Sequence, residues 1–245
     1  MSSFWRFMQF SVLGLAIAVS PVASFAALED LDELQGKLGN EWVIVKNDKL
    51  RNIKTWAKQE DGKRYRSFKV EATLDSSVEA GARVLLDADN YTKWYWEVFE
   101  SKMLKANTTE YYIYLKHRAP VSLPDRDVIL HANVVMQKKP TDPLIISVKA
   151  APNFIPEAPP LIRMPAEDMI VKLTPLANNK VFLEAEGYVD PGGRVPTWAN
   201  NYIQRNAPYS ILLGLLRMMT SDTYRKAKTP LPFKVYNDPN ATNGS

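Results

Sequence analysis

Apolar and polar residues alternate along much of the chain after Trp42. Such alternation is typical of strands that bury one face, because successive side chains point to opposite sides of a sheet. The alternating segments are rich in Val, Ile, Tyr, Phe and Thr, and turn residues such as Asp61-Gly62 separate them. The pattern predicts strands at Trp42–Lys46, Ile53–Ala57, Tyr65–Leu74, Val98–Lys105, Thr109–His117, Asp127–Gln137, Leu144–Ala151, Met169–Leu173 and Val181–Asp190.

Helical patterns occur between these strands and near the end of the chain. Ser77–Asp87 and Tyr91–Trp96 are predicted as short helices, the first capped by Ser76 or Ser77. A long helix is predicted from Pro196 to about Thr220, with a kink at Pro208. Strands followed by a helix that can cover them indicate an α+β domain. The proline-rich residues 152–165 are predicted as a long irregular connection.

Small residues stand in the middle of several predicted inner faces: Ala72, Ala132, Ala150, Ala185 and Gly187. A sheet with such a surface either receives large side chains from a packed helix or leaves a hollow. A hollow would suit an apolar ligand, since an empty void costs stability. The alternative is a solid core filled by Trp94, Trp96, Trp198 and Tyr202.

Composition narrows the function classes. The 245 residues fit one large domain or two small ones, and the absence of a linker favours one. Lys and Arg number 31 against 27 Asp and Glu, and without a basic run this net charge of +4 gives no support for nucleic-acid binding. The chain has no cysteine, which excludes disulfides, thiol catalysis and a lipid-modified cysteine anchor. Two histidines leave little material for a metal centre or a catalytic triad, and no cofactor is expected.

Residues 1–26 have the pattern of a secretory signal peptide. Arg6 precedes an apolar run at residues 10–19, and small residues lead to Ala26. The run is about ten residues, shorter than the roughly 20 that span a bilayer as a helix. We expect cleavage after Ala26 and export, to the periplasm in a bacterium or out of the cell otherwise; an uncleaved anchor is the alternative. The expected organisation is a signal peptide at 1–26, a folded domain at 27–228 and a partly ordered tail at 229–245.

Three segments carry a family resemblance: PVSLPDRDVIL at 120–130, IRMPAEDMIVKL at 162–173 and GYVDPGGRVPTWANNYIQRNAPYSILLGLL at 187–216. Their order and spacing resemble the START domain, the steroidogenic-acute-regulatory-related lipid-transfer family. Arg126-Asp127 matches the pair that opens a central strand in that family, and Asp190-Pro191-Gly192-Gly193 matches the approach to its C-terminal helix. The position of Arg163 also matches. The resemblance covers about residues 40–220.

The resemblance implies a helix-grip fold: a curved antiparallel sheet wrapped around a long C-terminal helix, with an internal hydrophobic tunnel that holds one lipid. The inner-face positions and the helix then supply candidate ligand-binding residues. These are Tyr111, Ile113, Val128, Leu130, Ala132, Val134, Val171, Leu183, Ala185, Trp198 and Tyr202. On the helix, Ala207, Ser210 and Gly214 continue the stripe that begins at Trp198.

The polar residues depart from the family pattern in one respect. Some members hold a ligand headgroup with a charged residue inside the tunnel, and Ala132 occupies the site of one such arginine. The polar groups expected inside are Tyr111, Ser101 and Tyr202, which suits a ligand with a hydroxyl, carbonyl or carboxyl tip. Arg126 and Asp127 are expected to stabilise the start of their strand rather than to contact ligand.

The remaining candidates have a structural and a functional interpretation. His131 falls on the outer face of its strand, and His117 is expected at the rim of the tunnel. Trp94-Tyr95-Trp96 is expected to pack in the core, with a membrane-contacting rim as the alternative.

Three functions remain open. The first is a monomeric carrier that binds one lipid or sterol-like molecule and contacts membranes transiently. The second is a helix-grip enzyme, of cyclase or hydrolase type, acting on a hydrophobic substrate. Such an enzyme needs polar groups that converge inside, and the predicted inner faces offer no inward histidine or carboxylate in the middle of a strand. The third is an envelope module that senses a ligand or binds a partner, since fold does not fix function.

Overall fold

The computed structural model describes residues 39–120 and 122–241. The predicted signal peptide, residues 1–26, lies outside the described residues, as do the last four residues of the predicted tail.

The alternating segments form one antiparallel sheet. Its strands are β1 (Val43–Asp48), β2 (Ile53–Lys58), β3 (Ser67–Leu74), β4 (Val98–Ala106), β5 (Glu110–His117), β6 (Arg126–Val135), β7 (Leu144–Ala150), β8 (Ile162–Arg163), β9 (Ala166–Leu176) and β10 (Lys180–Asp190). The order across the sheet is β1-β2-β3-β10-β9-β7-β6-β5-β4, and the short β8 pairs in parallel with the start of β6. The predicted α+β helix-grip class is confirmed.

The helices follow local sequence signals. Helix α1 (Val78–Leu86) begins where predicted, because the Ser77 hydroxyl accepts a hydrogen bond from the Ala80 amide at 3.1 Å. A 3₁₀ helix at Ala88–Lys93 starts three residues before the predicted short helix. The long helix α2 (Thr197–Met219) includes Pro208, and a last short helix, α3 (Asp222–Arg225), follows it. No helix in the described ranges combines the length and apolar character needed to cross a bilayer.

The predicted inner faces lie against the helices. Val70, Ala72 and Leu74 of β3 are buried, as are Val181 and Leu183 of β10. One buried cluster joins these residues to the inner faces of β5 and β6, to α1 and to the C-terminal part of α2. Alternation therefore identified the inner face of each of these strands.

The outer face of β6 departs from the expectation of a solvent-facing surface. Ile129, assigned to that face, is fully buried, because the connection at residues 152–161 folds back over it. Arg163 fixes this connection by donating to the carbonyls of Pro152, Ile155 and Pro156, and Phe154 stacks on Tyr112 with ring centroids 4.0 Å apart. A long-range cover of this kind leaves no mark in the strand's own alternation.

The described part of the tail packs against the domain. Phe233 is buried, and the Gln137 side chain bonds both the amide and the carbonyl of Tyr236. The Asn237 side chain accepts a hydrogen bond from the Glu79 amide at 2.9 Å, in the first turn of α1.

Candidate ligand-binding cavity

A cavity of about 200 Å³ lies between the sheet and α2, which lines it from Asn200 to Leu215. Its wall is mainly apolar and includes Ala57, Phe68, Val70, Trp94, Met164, Met169, Val171, Leu183, Ala185, Val189, Ile203, Ala207 and Ile211. The exposed residues Glu97 and Arg118 also line it, so the cavity reaches the protein surface at that end.

The small inner-face residues have different roles. Ala185 lines the cavity, whereas Ala72 and Ala132 are tightly buried in the filled part of the core. Gly187 allows a close approach: a Cβ there would lie 2.5 Å from the Asp168 carbonyl oxygen and 2.8 Å from the Met169 Cβ. At the far end of α2, a Cβ on Gly214 would overlap the Trp94 carbonyl. The sheet is thus hollow over part of its inner face and solidly packed over the rest.

The structure brings only some of the candidate ligand-binding residues together. Val171, Leu183 and Ala185 share the cavity wall. The others on the sheet are buried in the filled core and are not among the described lining residues: Tyr111, Ile113, Val128, Leu130, Ala132 and Val134. The strand pattern gives the correct face but does not indicate where along that face the hollow lies.

The candidate residues of α2 are divided in the same way. Trp198 and Tyr202 are 56% and 51% exposed and lie outside the cavity, whereas Ala207 lines it. The cavity face instead carries Asn200, Ile203 and Gln204, at helical spacing on the other side from Trp198. The predicted stripe that begins at Trp198 therefore lies on the exposed side of α2 over the first two turns of the helix.

A buried carboxylate lies in the cavity wall. Glu167 is 2% exposed, its Oε1 accepts a hydrogen bond from the Tyr95 hydroxyl at 2.6 Å, and its Oε2 lies 3.4 Å from His117 Nε2. Burial by itself raises the pKa of Glu167, but the charge of the nearby His117 and the hydrogen bond from Tyr95 outweigh it and lower that pKa. Burial, together with the charge of Glu167, holds the pKa of Tyr95 well above its usual value.

This carboxylate corrects the expectation of inner faces without an inward histidine or carboxylate. β9 begins at Ala166, whereas the predicted strand began at Met169, so Glu167 fell outside the alternation that was considered. Extending the strand by two residues would have placed Glu167 on the same face as Met169 and Val171. His117 lines the cavity near its exposed end.

The adjacent Arg126 and Asp127 point to opposite faces of β6 and do not pair with each other. Asp127 is fully buried on the outer face, where its two oxygens each accept a hydrogen bond from Arg163 at 2.9 Å. Its Oδ2 also accepts from the Tyr114 hydroxyl at 3.0 Å. Asp127 therefore joins β6 to β8, as a group that stabilises the start of a strand should.

Arg126 lies on the inner face and lines the cavity, although it is only 5% exposed. Its Nη1 donates to the Pro124 carbonyl, and its Nε donates to the Pro191 carbonyl at 3.4 Å. Its Nη2 is buried and has no hydrogen-bond partner among the described residues. Arg66 lines the same cavity, and burial lowers the pKa of both arginines.

The other polar groups expected inside lie elsewhere. The Tyr111 hydroxyl donates to the Thr108 carbonyl at 3.1 Å, and the buried Ser101 hydroxyl is not part of the cavity wall. Gln204 lines the cavity with a buried, unpartnered Oε1. Within the described ranges, no group of three or more His, Asp or Glu side chains is arranged to hold a metal ion.

Comparison with known proteins gives relatives in sequence and in structure. No protein-family model matches the chain. An uncharacterized protein of Pseudomonas aeruginosa is 27% identical over 201 residues, which are 82% of this chain and 92% of that protein. The crystal structure of a STAR-related lipid transfer protein fragment from Xanthomonas axonopodis is also 27% identical, with a TM-score of 0.67 over 74% of this chain and 99% of the fragment. Human STARD10 matches with a TM-score of 0.63 at 18% identity, over 81% of this chain and 80% of that chain.

Proposed function

Because the chain is a START domain with the helix-grip fold, we propose that it binds one lipid or sterol-like molecule in the cavity between the sheet and α2. The fold neighbours support a hydrophobic-ligand role, and the observation that carries the proposal is the mainly apolar wall of this cavity. Each buried methylene contributes about 0.8 kcal/mol. A chain of about ten methylenes would therefore contribute on the order of 8 kcal/mol relative to water, which offsets what the chain loses on leaving the apolar interior of a bilayer.

The proposed role is that of a carrier, without a chemical step. The lowered pKa of Glu167 keeps its carboxyl ionised near neutral pH, whereas a general acid needs a pKa close to the working pH. The Tyr95 hydroxyl, whose pKa is raised, already donates to this carboxylate. The arrangement suits a fixed polar end of the cavity rather than a proton-transfer site.

Ligand capture is tested by purifying the protein without detergent, followed by native mass spectrometry and organic extraction. We expect close to one hydrophobic molecule per chain. Ala185→Trp should abolish it by filling the cavity, while Ala150→Trp should not, because Ala150 is a partly buried inner-face alanine outside the cavity wall. Circular dichroism shows whether both variants fold. A protein that stays empty when offered liposomes would contradict the proposal.

We further propose that a carrier of this kind contacts membranes through an aromatic surface on α2, formed by Trp198 and Tyr202 with Trp96. Trp198 and Tyr202 are more than half exposed and one helical turn apart, and the Tyr202 and Trp96 rings lie 6.0 Å apart. Trp96 itself lines the cavity, so this aromatic surface adjoins the opening through which a lipid would pass. Tyrosine and tryptophan suit the membrane interface, since each combines an apolar ring with a polar group.

Transfer of a fluorescent lipid between vesicles tests the membrane contact. The double variant Trp198→Ala/Tyr202→Ala should slow transfer several-fold without lowering the amount of bound lipid. Ile170→Ala removes a comparably exposed apolar residue from the outer face of β9 and should leave the rate unchanged. Equal rates for all three proteins would count against the aromatic surface.

Export remains part of the proposal, on the pattern of residues 1–26. Cell fractionation with N-terminal sequencing should find a mature chain that begins at Ala27 outside the cytoplasm. A full-length chain retained in the membrane fraction would instead indicate an anchor.

A further inference from the structure

The side chain of Arg126 is held in place but only partly satisfied. Two backbone carbonyls, of Pro124 and Pro191, accept from Nη1 and Nε, which fixes the guanidinium plane in the cavity wall. Nη2 is left buried without a partner among the described residues. An unpaired buried charge is costly, so such a donor is expected to have an anionic partner or a bound molecule in its place.

No carboxylate of the described residues forms a hydrogen bond with Nη2. Two carboxylates adjoin Arg126 in sequence. Asp127 is on the other face of the sheet and is bound by Arg163. Asp125 acts on Arg126 through its charge but makes no ion pair with it, and its Oδ1 accepts a hydrogen bond from the Ala119 amide at 2.9 Å. Glu167, the buried carboxylate of the cavity wall, accepts from Tyr95 and lies next to His117. No ion pair joins Arg66 or Arg126 to an acidic residue within the described ranges. The wall carries three arginines, Arg66, Arg118 and Arg126, against two glutamates, Glu97 and Glu167, so its net charge is +1 with His117 neutral.

We propose that the ligand is a single-chain amphiphile with an oxyanion head, a carboxylate or a phosphate monoester, and that Arg126 binds this head. This inference rests on the proposed function. A guanidinium is suited to oxyanions because its planar N–H groups match their geometry. The apolar remainder of the wall receives the chain. A volume of about 200 Å³ is below the roughly 300–1,000 Å³ of ordinary ligand pockets, which favours one chain over a two-chain phospholipid.

Three probes with the same chain separate head from tail: dodecanoate, dodecyl phosphate and 1-dodecanol. The protein is purified from cells and then stripped of bound lipid. Each probe is titrated into it by calorimetry, at low and at moderate salt. We expect at least one of the two anionic probes to bind at least about tenfold more tightly than the alcohol, since hydrogen bonds to charged groups carry the difference. Whichever anion is preferred identifies the head.

Variants locate the effect. Arg126→Met should bring the preferred anion to the affinity of the alcohol without changing the affinity for the alcohol. Arg66→Met should reduce the preference in part. Arg194→Met removes an exposed positive charge outside the cavity wall and should leave the preference intact. If Arg126→Met fails to fold, two measurements still test the headgroup assignment: the affinities of the wild type for anion and alcohol, and the anion preference of Arg66→Met.

The outcomes distinguish this inference from the function on which it rests. If 1-dodecanol binds as tightly as both anions, or if Arg126→Met keeps the anion preference, the headgroup assignment is overturned while the cavity remains a hydrophobic site. If none of the three probes binds the wild-type protein, the single-chain ligand is overturned. The proposed function is then wrong only if the protein also stays empty when offered liposomes.

Discussion

At the scale of single residues, the Asp127–Arg163 pair has the strongest structural role among the charged groups described above. Both side chains are almost completely buried, and Arg163 also fixes the connection that covers the outer face of β6. A buried pair adds little net stability over an apolar pair, but removing one partner leaves an uncompensated charge. The integrity of the β6 start therefore depends on both residues together.

Asp127→Asn should lower the free energy of unfolding by about 3–5 kcal/mol, measured by urea denaturation. The control is Asp222→Asn, which makes the same change of side chain in an exposed ion pair with Lys226. This control should leave the free energy of unfolding almost unchanged, because water and salt screen an exposed pair. Similar losses in the two variants would contradict the role given to Asp127.

Glu167 makes stability depend on pH. Its pKa is lowered in the folded protein, so its contribution is complete above its unfolded pKa of about 4.3 and is lost as the pH falls through the lower folded value. The stability advantage of the wild type over Glu167→Gln should therefore shrink between pH 6 and pH 3 in urea titrations. Glu41→Gln serves as the control, because Glu41 is exposed and does not line the cavity. A difference between wild type and Glu167→Gln that does not change with pH would count against this assignment.

At the scale of elements, one side of helix α2 lines the cavity from Asn200 to Leu215, and the last turn of the helix is packed. Its N-terminal half lines the cavity through Asn200, Ile203 and Ala207. In its C-terminal half, Leu212 and Leu215 are buried at the cavity wall, and Met219 is buried in the core. The close approach of α2 to the segment before β4 occurs at Gly214, where any side chain would meet the Trp94 backbone.

Gly214→Ala should destabilise the domain by about 1–3 kcal/mol, as overpacking of a tight contact does. The obstacle is a backbone carbonyl, which cannot rotate away as a side chain could. Gly39→Ala adds the same methyl group where nothing lies within 4 Å, and it should be nearly neutral. Thermal unfolding measures both, and a Gly214→Ala protein as stable as the wild type would show that this contact is loose.

Elements with a strong local pattern could be predicted from the sequence, and those set by distant contacts could not. Alternation located the strands and their inner faces, and the Ser77 cap located the start of α1. The two-residue β8 depends on its pairing with Arg126-Asp127, and the burial of Ile129 depends on a connection more than twenty residues away. Neither contact is visible in a local window of sequence.

The same reason explains how much of the site was predicted. Val171, Leu183 and Ala185 were identified because strand alternation marks their face. The apolar residues of α2 are spread around the helix, so the sequence does not mark which side of its N-terminal half faces the sheet. Arg126 was assigned to the strand end because its neighbour Asp127 suggested an ion pair, which the alternation of the strand prevents.

At the scale of the whole molecule, the fold combines a packed core with a cavity under one helix. The packed part, from β5 and β6 to α1 and the end of α2, holds the sheet in shape. The cavity under α2 can then stay open without a loss of the fold. The apolar wall, the polar end and the exposed aromatic surface lie in one region, as the proposed carrier role requires.

The most direct test of this account is photo-crosslinking with a dodecanoate that carries a diazirine near the end of its chain, followed by residue-level mass spectrometry. The account predicts one label per chain, on cavity residues such as Val171, Leu183, Ala185, Ile203 or Ala207, and its loss in Ala185→Trp. Labels on exposed apolar residues outside the cavity, such as Phe154 or Val135, at the same level in Ala185→Trp, would contradict it.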